Sequence, residues 1–309
     1  MKQREVKDMA ASVRQRLLNH SREVGRPFDE LLRLYGIERF LYRLSVSPHA
    51  RRFVLKGGLM LLVWRSPWVR PTMDVDLLGH MPDEVEAVAS VMRDVCLQQV
   101  EDDGMMFDAE SVTAEAITPG REYSGVRARF HGELANASVP MQVDVGFGDV
   151  VVPGDQQIEF PSMLGFPAAV LRGYTRESVI AEKLEAMVQR GRITSRMSDF
   201  YDIWLLSQQY EFDGGVLSAA ISRTFSERRT EIVASPVTLT DEFARSELKR
   251  AQWRAFCTKG RVEHAPSEFP EVVARVVEFL GPVLEAILTN GRFEGVWLPP
   301  GPWRSTRSG

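Results

Sequence analysis

Two aspartates one residue apart stand out in RPTMDVDLLG, the segment that covers residues 70–79. If this segment is a β-strand, the side chains of Asp74 and Asp76 leave the same face, because side chains alternate with a period of two. Two like charges side by side are unfavourable unless a cation, a proton or solvent relieves them. The pair is therefore the first candidate for chemistry in this chain.

A third carboxylate stands on another predicted strand, Val139 to Phe147. There Met141 and Val143 share one face, and Asp144 lies on the other. Carboxylates on adjacent strands can converge, and such hard oxygen ligands suit Mg²⁺, which also takes phosphate oxygens as ligands. If the sheet brings Asp144 to the acidic pair, bound ions would stabilise an in-line phosphoryl displacement.

A double-glycine turn precedes the acidic pair. The segment FVLKGG, residues 53–58, predicts a short buried element that turns at Gly57 and Gly58, with a helix in the LMLLVW that follows. A glycine turn that opens a helix offers backbone N–H groups and a positive dipole end to a phosphate. Each part also has a simpler explanation, since Gly-Gly is often a plain turn and DxD is often solvated surface. Their order and spacing favour nucleotidyl transfer.

Composition limits the class of protein. With 309 residues, of which 44% are hydrophobic, the chain has material for about two domains. A net charge of −4 gives no global positive field for nucleic acid, so any such surface must be local. Cys96 and Cys257 lie far apart and form no disulfide framework or CxxC site. The charged N-terminus lacks a signal-peptide core and no run approaches the ~20 apolar residues of a membrane span, so we expect a cytoplasmic protein.

Hydrophobic periodicity then predicts the elements that position these residues. Helical spacing predicts two or three helices from Val6 to Leu44 and another over residues 84–99, and strands are predicted over residues 123–133 and 139–147. Strand signals fade after Pro161 and Pro167, and helices dominate from about residue 174. The sequence thus predicts an α+β chain with a boundary near residue 165 and an extended tail after Leu298.

A second group of charges lies in the helical part, in ESVIAEKLEAMVQRGRITSRMSDFYDIWLL, residues 177–206. Lys183 lies on one predicted helix, and Asp199 and Asp202, three residues apart, share a face of the next. These side chains could form an interhelical ion pair, which is the usual role of such charges.

The order of these motifs resembles the signature of the minimal nucleotidyltransferase (DNA polymerase β-like) superfamily, which is hGG or hGS, then DxD, then D. The residues that match are Gly57, Gly58, Asp74, Asp76 and Asp144. More specifically, the chain resembles the AbiEii/AbiGii abortive-infection toxin family. The segments that carry this resemblance are IERFLYRLSVSPHARRFVLKGGLMLL, RPTMDVDLL, VDVGFGD and the block at 177–206.

The resemblance covers most of the chain and implies its organisation. A nucleotidyltransferase domain with a mixed β-sheet flanked by helices is expected over residues 1–165. A mostly α-helical domain that completes the active site is expected over residues 166–309. The chain departs from the family at Gly58, Met73 and Ser198, where Ser, a polar residue and Lys are common, and these departures bear on nucleotide affinity or choice.

The resemblance also implies roles for individual residues. Asp74, Asp76 and Asp144 would be catalytic residues that hold Mg²⁺ or Mn²⁺, and Lys183 and Asp202 would complete the catalytic set. The residues with implied nucleotide-binding roles are Lys56, Gly57, Gly58, Arg70, Thr72 and Lys183. Glu182, Arg196 and Asp199 are further motif positions, and ion pairing within the site is expected for the last two.

The implied function is a Mg²⁺-dependent nucleotidyltransferase toxin of a toxin–antitoxin system. It would transfer NMP from an NTP to RNA, with tRNA 3′ ends as the best candidate acceptor and a cognate antitoxin as partner. The segment from Ile221 to Arg261 contains nine Lys or Arg residues and five acidic residues, and Trp253 and Phe256 lie among them. This composition suits either an RNA-binding face or a solvated helix surface. The alternatives are nucleotidylation of a protein or small molecule, and a nucleotide-binding interaction protein without catalysis.

Overall fold

Residues 8–66, 70–117, 125–262, 264–289 and 293–305 are described by a computed structural model of the chain. They form a mixed α+β fold, as the sequence predicts. The chain divides into two units. The sheet unit consists of Met1–Arg65, Pro71–Gly148 and Gln156–Gly173, and the helical unit consists of Ser66–Arg70, Asp149–Asp155 and Tyr174–Gly309.

The sheet unit contains seven strands. They are β1 (Phe53–Lys56), β2 (Val75–Gly79), β3 (Met105–Ala116), β4 (Gly125–Leu134), β5 (Ala137–Phe147), β6 (Gln156–Phe160) and β7 (Ala169–Gly173). Their order in the sheet is β3-β4-β5-β2-β1-β7-β6. The pairs β2–β5 and β1–β7 are parallel and the other neighbours are antiparallel, so the sheet is mixed.

Helices of the sheet unit pack on one face of this sheet. They are α1 (Met9–Val24), α2 (Phe28–Val46), the single-turn α3 (Met60–Val63) and α4 (Val85–Cys96). The ring of Phe40 on α2 lies 5.8 Å from that of Phe107 on β3 and 5.0 Å from that of Phe130 on β4. Since strand residues alternate between faces, Asp144 on β5 lies on the opposite face from its buried neighbours Val143 and Val145.

The helical unit has its own core. Its elements are α5 (Arg176–Arg190), α6 (Met197–Gln209), β8 (Phe212–Asp213), α7 (Gly214–Glu227), α8 (Asp241–Arg245), α9 (Glu247–Gly260), α10 (Phe269–Thr289), β9 (Val296–Trp297) and β10 (Trp303–Arg304). The short strands form an antiparallel sheet in the order β10-β9-β8. Phe200 on α6 packs edge-on against Phe269 on α10, with ring centroids 5.0 Å apart. In the part of the chain that is described, no helix combines the length and apolarity needed to cross a membrane.

The structure contains strands that the sequence does not predict, namely β3, β6 and β7. Because β7 pairs with β1, through Val54 opposite Arg172, the sheet unit includes residues up to Gly173. The strands β6 and β7 have five residues each, and so short a pattern is difficult to distinguish from a loop.

The tail after Leu298 is also more ordered than expected. Trp303 lies on β10, and its ring is 5.7 Å from that of Phe279 and 5.4 Å from that of Trp297. Its indole nitrogen donates a hydrogen bond to the carbonyl of Phe279 at 2.8 Å. Aromatic burial therefore anchors this segment, whereas residues 306–309 of the predicted tail lie outside the described part of the chain.

A buried ion pair links α2 to the segment before β3. Arg43 donates two hydrogen bonds to Asp103, at 2.8 and 3.0 Å, and a third to the carbonyl of Met105 at 2.7 Å. Both charged residues are buried. Loss of one partner would leave the other charge buried without compensation.

We expect Asp103→Ala to lower the free energy of unfolding by about 3–5 kcal/mol, because Arg43 stays buried without its carboxylate. Urea unfolding followed by circular dichroism measures this change. Glu101→Ala, two residues away and exposed, is the control and should change stability by less than about 0.5 kcal/mol. Equal effects of the two substitutions would contradict a stabilising role for the pair.

Candidate functional site

Five charged side chains lie in one row across the sheet, which we call the charged row. Asp76 on β2 lies directly opposite both Asp144 on β5 and Lys56 on β1. Arg127 on β4 lies opposite both Asp144 and Glu115 on β3. Residues that pair across strands point to the same face, and neighbouring strands are about 4.8 Å apart. The centre of the row is thus two adjacent carboxylates, with a cationic residue on each side.

Arg127 holds Asp144 through two hydrogen bonds. Its Nε donates to Oδ1 at 2.8 Å and its Nη2 donates to Oδ2 at 2.6 Å. This bidentate geometry is the strong form of an arginine–carboxylate pair. Arg127 is not among the residues predicted from the sequence, although the alternation in GVRARFHGEL on β4 places Arg127 and Arg129 together on its polar face.

Gly57 brings the backbone close to Asp76. Its φ is +71°, and a Cβ atom at this position would lie 2.1 Å from Oδ2 of Asp76. Only glycine fits both the left-handed conformation and this close approach. The predicted helix after Gly57 and Gly58 is α3, which spans four residues after a 3₁₀ turn and therefore contributes little helix dipole.

Asp74 and Thr72 lie in the segment that leads into β2. Thr72 is half-buried, and Asp74 is exposed as a residue. Partial desolvation of its carboxyl group, and then the negative charge of Asp144, raise the pKa of Asp74, while Arg127 opposes this shift. The charge of Asp144 therefore acts on Asp74, although Asp74 lies just before β2 and not on the strand as the sequence predicts.

The fit of a divalent cation depends on the state of Asp144. Among the residues that the structure describes, no group of three or more His, Cys, Asp or Glu side chains is arranged to hold a metal ion. Asp144 is bound by Arg127 instead. The neighbouring carboxylates of Asp76 and Asp144, with Asp74 in range, nevertheless form the oxygen-rich, negatively charged donor set that suits Mg²⁺ or Mn²⁺. The donor types therefore suit a divalent cation, while Asp144 is paired with Arg127 in the structure.

The helical unit has a charged centre of its own between α5 and α6. Nζ of Lys183 lies 3.0 Å from Asp199 and 2.8 Å from Asp202, so the interhelical ion pair considered in the sequence analysis is present. Burial alone would lower the pKa of Lys183, but the carboxylates of Asp202 and Asp199 outweigh it and raise the pKa. The ammonium group therefore stays charged.

Two arginines complete this centre. Arg70 donates two hydrogen bonds of 2.8 Å to Asp202, and Nε of Arg196 lies 2.6 Å from Asp199. Burial would raise the pKa of Asp202, but Arg70 and then Lys183 outweigh it and lower the pKa to about 2. Among the described contacts, three cations thus surround two carboxylates.

Glu182 belongs to a different group of contacts in the helical unit. It accepts a hydrogen bond from the hydroxyl of Tyr174 at 2.8 Å and pairs with Arg228 at 3.3 Å. Arg228 also pairs with Asp149 and Glu185, at 2.7 and 2.9 Å. These contacts connect α5 to the end of α7 and assign Glu182 a structural partner.

The fold and the charged row define an α+β protein with a carboxylate-rich centre on its sheet. The family model for the nucleotidyl transferase AbiEii toxin of type IV toxin–antitoxin systems matches residues 39–275. The chain belongs to this family, which confirms the resemblance found in the sequence. It is therefore a nucleotidyltransferase of the AbiEii toxin family, whose place in a toxin–antitoxin system implies an antitoxin partner.

Solved structures were also compared with the chain. It is similar to a protein from H. pylori described as a candidate nucleotidyltransferase, with 13% identity, a TM-score of 0.44, and coverage of 82% of this chain and 92% of that one. It is also similar to JHP933 from Helicobacter pylori, with 12% identity, a TM-score of 0.42, and coverage of 89% and 93%. No curated protein sequence matches the chain.

The contact between Gly57 and Asp76 predicts a specific cost for Gly57→Ala. The new methyl group collides with the carboxylate and adds left-handed strain of about 1–2 kcal/mol. Gly148→Ala is the matched control, because Gly148 has a φ of +78° but open space around the added atom. In urea unfolding we expect Gly57→Ala to be the more destabilising, and its excess cost to fall in an Asp76→Ala background. An unchanged excess would mean that Asp76 is not the colliding group.

The low pKa of Asp202 predicts a pH-dependent contribution to stability. Because the pKa falls from 3.8 to about 2 on folding, this contribution is complete above about pH 4 and is lost as the pH falls towards 2. At pH 7 we expect Asp202→Asn to lower the free energy of unfolding by about 3–5 kcal/mol. The difference between wild type and variant should shrink in urea titrations below about pH 4. Asp241→Asn, at an exposed ion pair, is the control with little effect, and a pH-independent difference for Asp202→Asn would contradict the prediction.

Proposed function

We propose that this protein is a divalent-metal-dependent enzyme that transfers NMP from an NTP to RNA, with the 3′ end of tRNA as the acceptor. The observation that carries the proposal is the side-by-side placement of Asp76 and Asp144 on parallel strands, with Asp74 in electrostatic range. In a chain of a nucleotidyltransferase family, this pair is the natural place for the reaction's cation.

Asp74, Asp76 and Asp144 would hold Mg²⁺ or Mn²⁺. A bound ion would neutralise negative charge on the phosphoryl group that is transferred. Asp144 serves as the third ligand or as the general base that takes the proton of the attacking hydroxyl. Backbone N–H groups at Gly57 and Gly58 are donors for phosphate oxygens, and Lys56 and Thr72 bind the nucleotide.

In the helical unit, Lys183 and Arg70 suit the triphosphate. Among the described ion pairs of this centre, cations outnumber carboxylates by three to two. Asp202 keeps Lys183 and Arg70 in place through contacts of 2.8 Å. A triphosphate brings several negative charges and would compensate this surplus.

RNA is the proposed acceptor because exposed cations lie on and after α9. Arg254, Lys259 and Arg261 are exposed and can contact phosphates. Trp253 is fully buried, and its indole nitrogen donates to the carbonyl of Pro266 at 2.9 Å, so it belongs to the core and is no stacking platform. We therefore expect contacts to the RNA backbone rather than to bases. Both substrates are cytoplasmic molecules, which places the proposed reaction in the cytoplasm, under control of the antitoxin.

The test is transfer of label from each of the four NTPs to total tRNA in the presence of Mg²⁺. We expect wild type to label tRNA with at least one NTP. Asp76→Asn should reduce the rate about a hundredfold or more, because a metal ligand contributes several kcal/mol to the transition state. Asp108→Asn on β3, an exposed aspartate of the same sheet face, is the matched control and should keep the wild-type rate.

Three outcomes would contradict the proposal in different ways. No transfer with any NTP, together with NTP binding in calorimetry, would favour a nucleotide-binding protein without catalysis. Label on protein or on a small molecule instead of tRNA would keep the chemistry and overturn the acceptor. Equal rates for wild type and Asp76→Asn would overturn the role of the carboxylates.

A further inference from the structure

Arg127 is bound to Asp144, a carboxylate that the proposed metal site requires. Both oxygens of Asp144 already accept a hydrogen bond from its guanidinium group, at 2.8 and 2.6 Å. A cation that approaches Asp144 therefore meets a positive charge and a carboxylate with a strong partner. This arrangement bears directly on how the site is loaded.

We propose that Arg127 is a displaceable counter-ion, which competes with the divalent metal for Asp144 and releases this carboxylate when the metal binds. The inference rests on the proposed function, because it concerns the same three aspartates. It assigns Arg127 no direct part in phosphoryl transfer. Arg127 is a residue that sets the affinity for the metal and stabilises the site before the metal arrives.

Charge balance explains why such a counter-ion is present. The strand register fixes Asp76 and Asp144 side by side, and the charge of Asp144 also acts on Asp74. Because the charge of Asp144 is unfavourable for both neighbouring carboxylates, a cation near Asp144 stabilises the fold when no metal is bound. Arg127 satisfies this need from the adjacent strand.

The neighbourhood of Arg127 also allows it to leave. Its side chain is 29% exposed and that of Asp144 is 18% exposed, so neither is locked in the core. Glu115 lies directly opposite Arg127 on β3 and its charge already acts on the guanidinium. Glu115 is itself exposed and pairs with Arg129 at 2.5 Å. Arg127 thus has a second carboxylate within reach when Asp144 takes a metal ligand role.

The experiment compares Mn²⁺ binding to chelator-treated protein by isothermal titration calorimetry. We expect Arg127→Gln to bind Mn²⁺ about tenfold more tightly than wild type, because the metal no longer displaces a charge-assisted pair. Arg245→Gln removes the same charge at an exposed ion pair with Asp241, outside the charged row, and should change the affinity less than about twofold. Arg127→Lys keeps the charge without the bidentate geometry, so we expect an intermediate gain of about threefold.

Thermal unfolding supplies a second readout that does not depend on activity. Without metal, Arg127→Gln should melt at a lower temperature than wild type, because the carboxylates lose their counter-ion. Added Mn²⁺ should raise its melting temperature by more than it raises that of wild type, since ligand stabilisation grows as Kd falls. A residue with a purely structural role would lower the melting temperature without this larger response.

The outcomes separate this inference from the proposed function. If wild type binds Mn²⁺ and Asp76→Asn binds it weakly, but Arg127→Gln binds no more tightly than wild type, the counter-ion role is overturned and the metal site stands. If wild type and Asp76→Asn show the same lack of binding, the metal site itself fails. If Arg127→Gln does not fold, the Mn²⁺ affinity of Arg127→Lys is compared with that of wild type instead.

Discussion

The parallel pairing of β2 with β5 is the constraint on which the rest of the sheet unit depends. It sets Asp76 beside Asp144, on one face, while Val75, Val143 and Val145 are buried on the other. A slip of one residue would turn the carboxylates into the core and the valines out, so burial of the apolar face fixes the acidic pair. The surrounding features respond to this pair: glycine at position 57 makes room for Asp76, and Arg127 balances Asp144.

Local pattern was enough to predict which residues face which way, but not which strands are neighbours. Alternation in MQVDVGFGD placed Asp144 opposite the buried valines, as the structure shows. The local sequence pattern does not indicate that β5 pairs with β2 on one edge and with β4 on the other. Arg127 was not predicted for this reason. The short strand β7 was missed because its partner β1 lies more than a hundred residues earlier in the chain.

The helical unit shows the same division between local and distant information. Helical periodicity predicted that Asp199 and Asp202 share a face, and the structure places both against Lys183. Arg70 contacts Asp202 across 132 positions of sequence, and no periodicity reports such a contact. The burial of Asp202 likewise depends on how the whole unit packs and cannot be read from local sequence. Because Asp202 is buried, its charge requires partners.

The pKa values of two aspartates, Asp202 in the helical unit and Asp74 in the sheet unit, shift in opposite directions. Asp202 is fully buried, so it is stable only because Arg70 and Lys183 lower its pKa to about 2 and keep it ionised. Asp74 is exposed but has a raised pKa, which shows that its surroundings disfavour its charge. A carboxylate of the first kind is already satisfied within the fold, whereas one of the second kind gains most from an added cation. Asp202 therefore contributes to stability with the partners it already has, whereas the charge of Asp74 is only partly compensated by its surroundings.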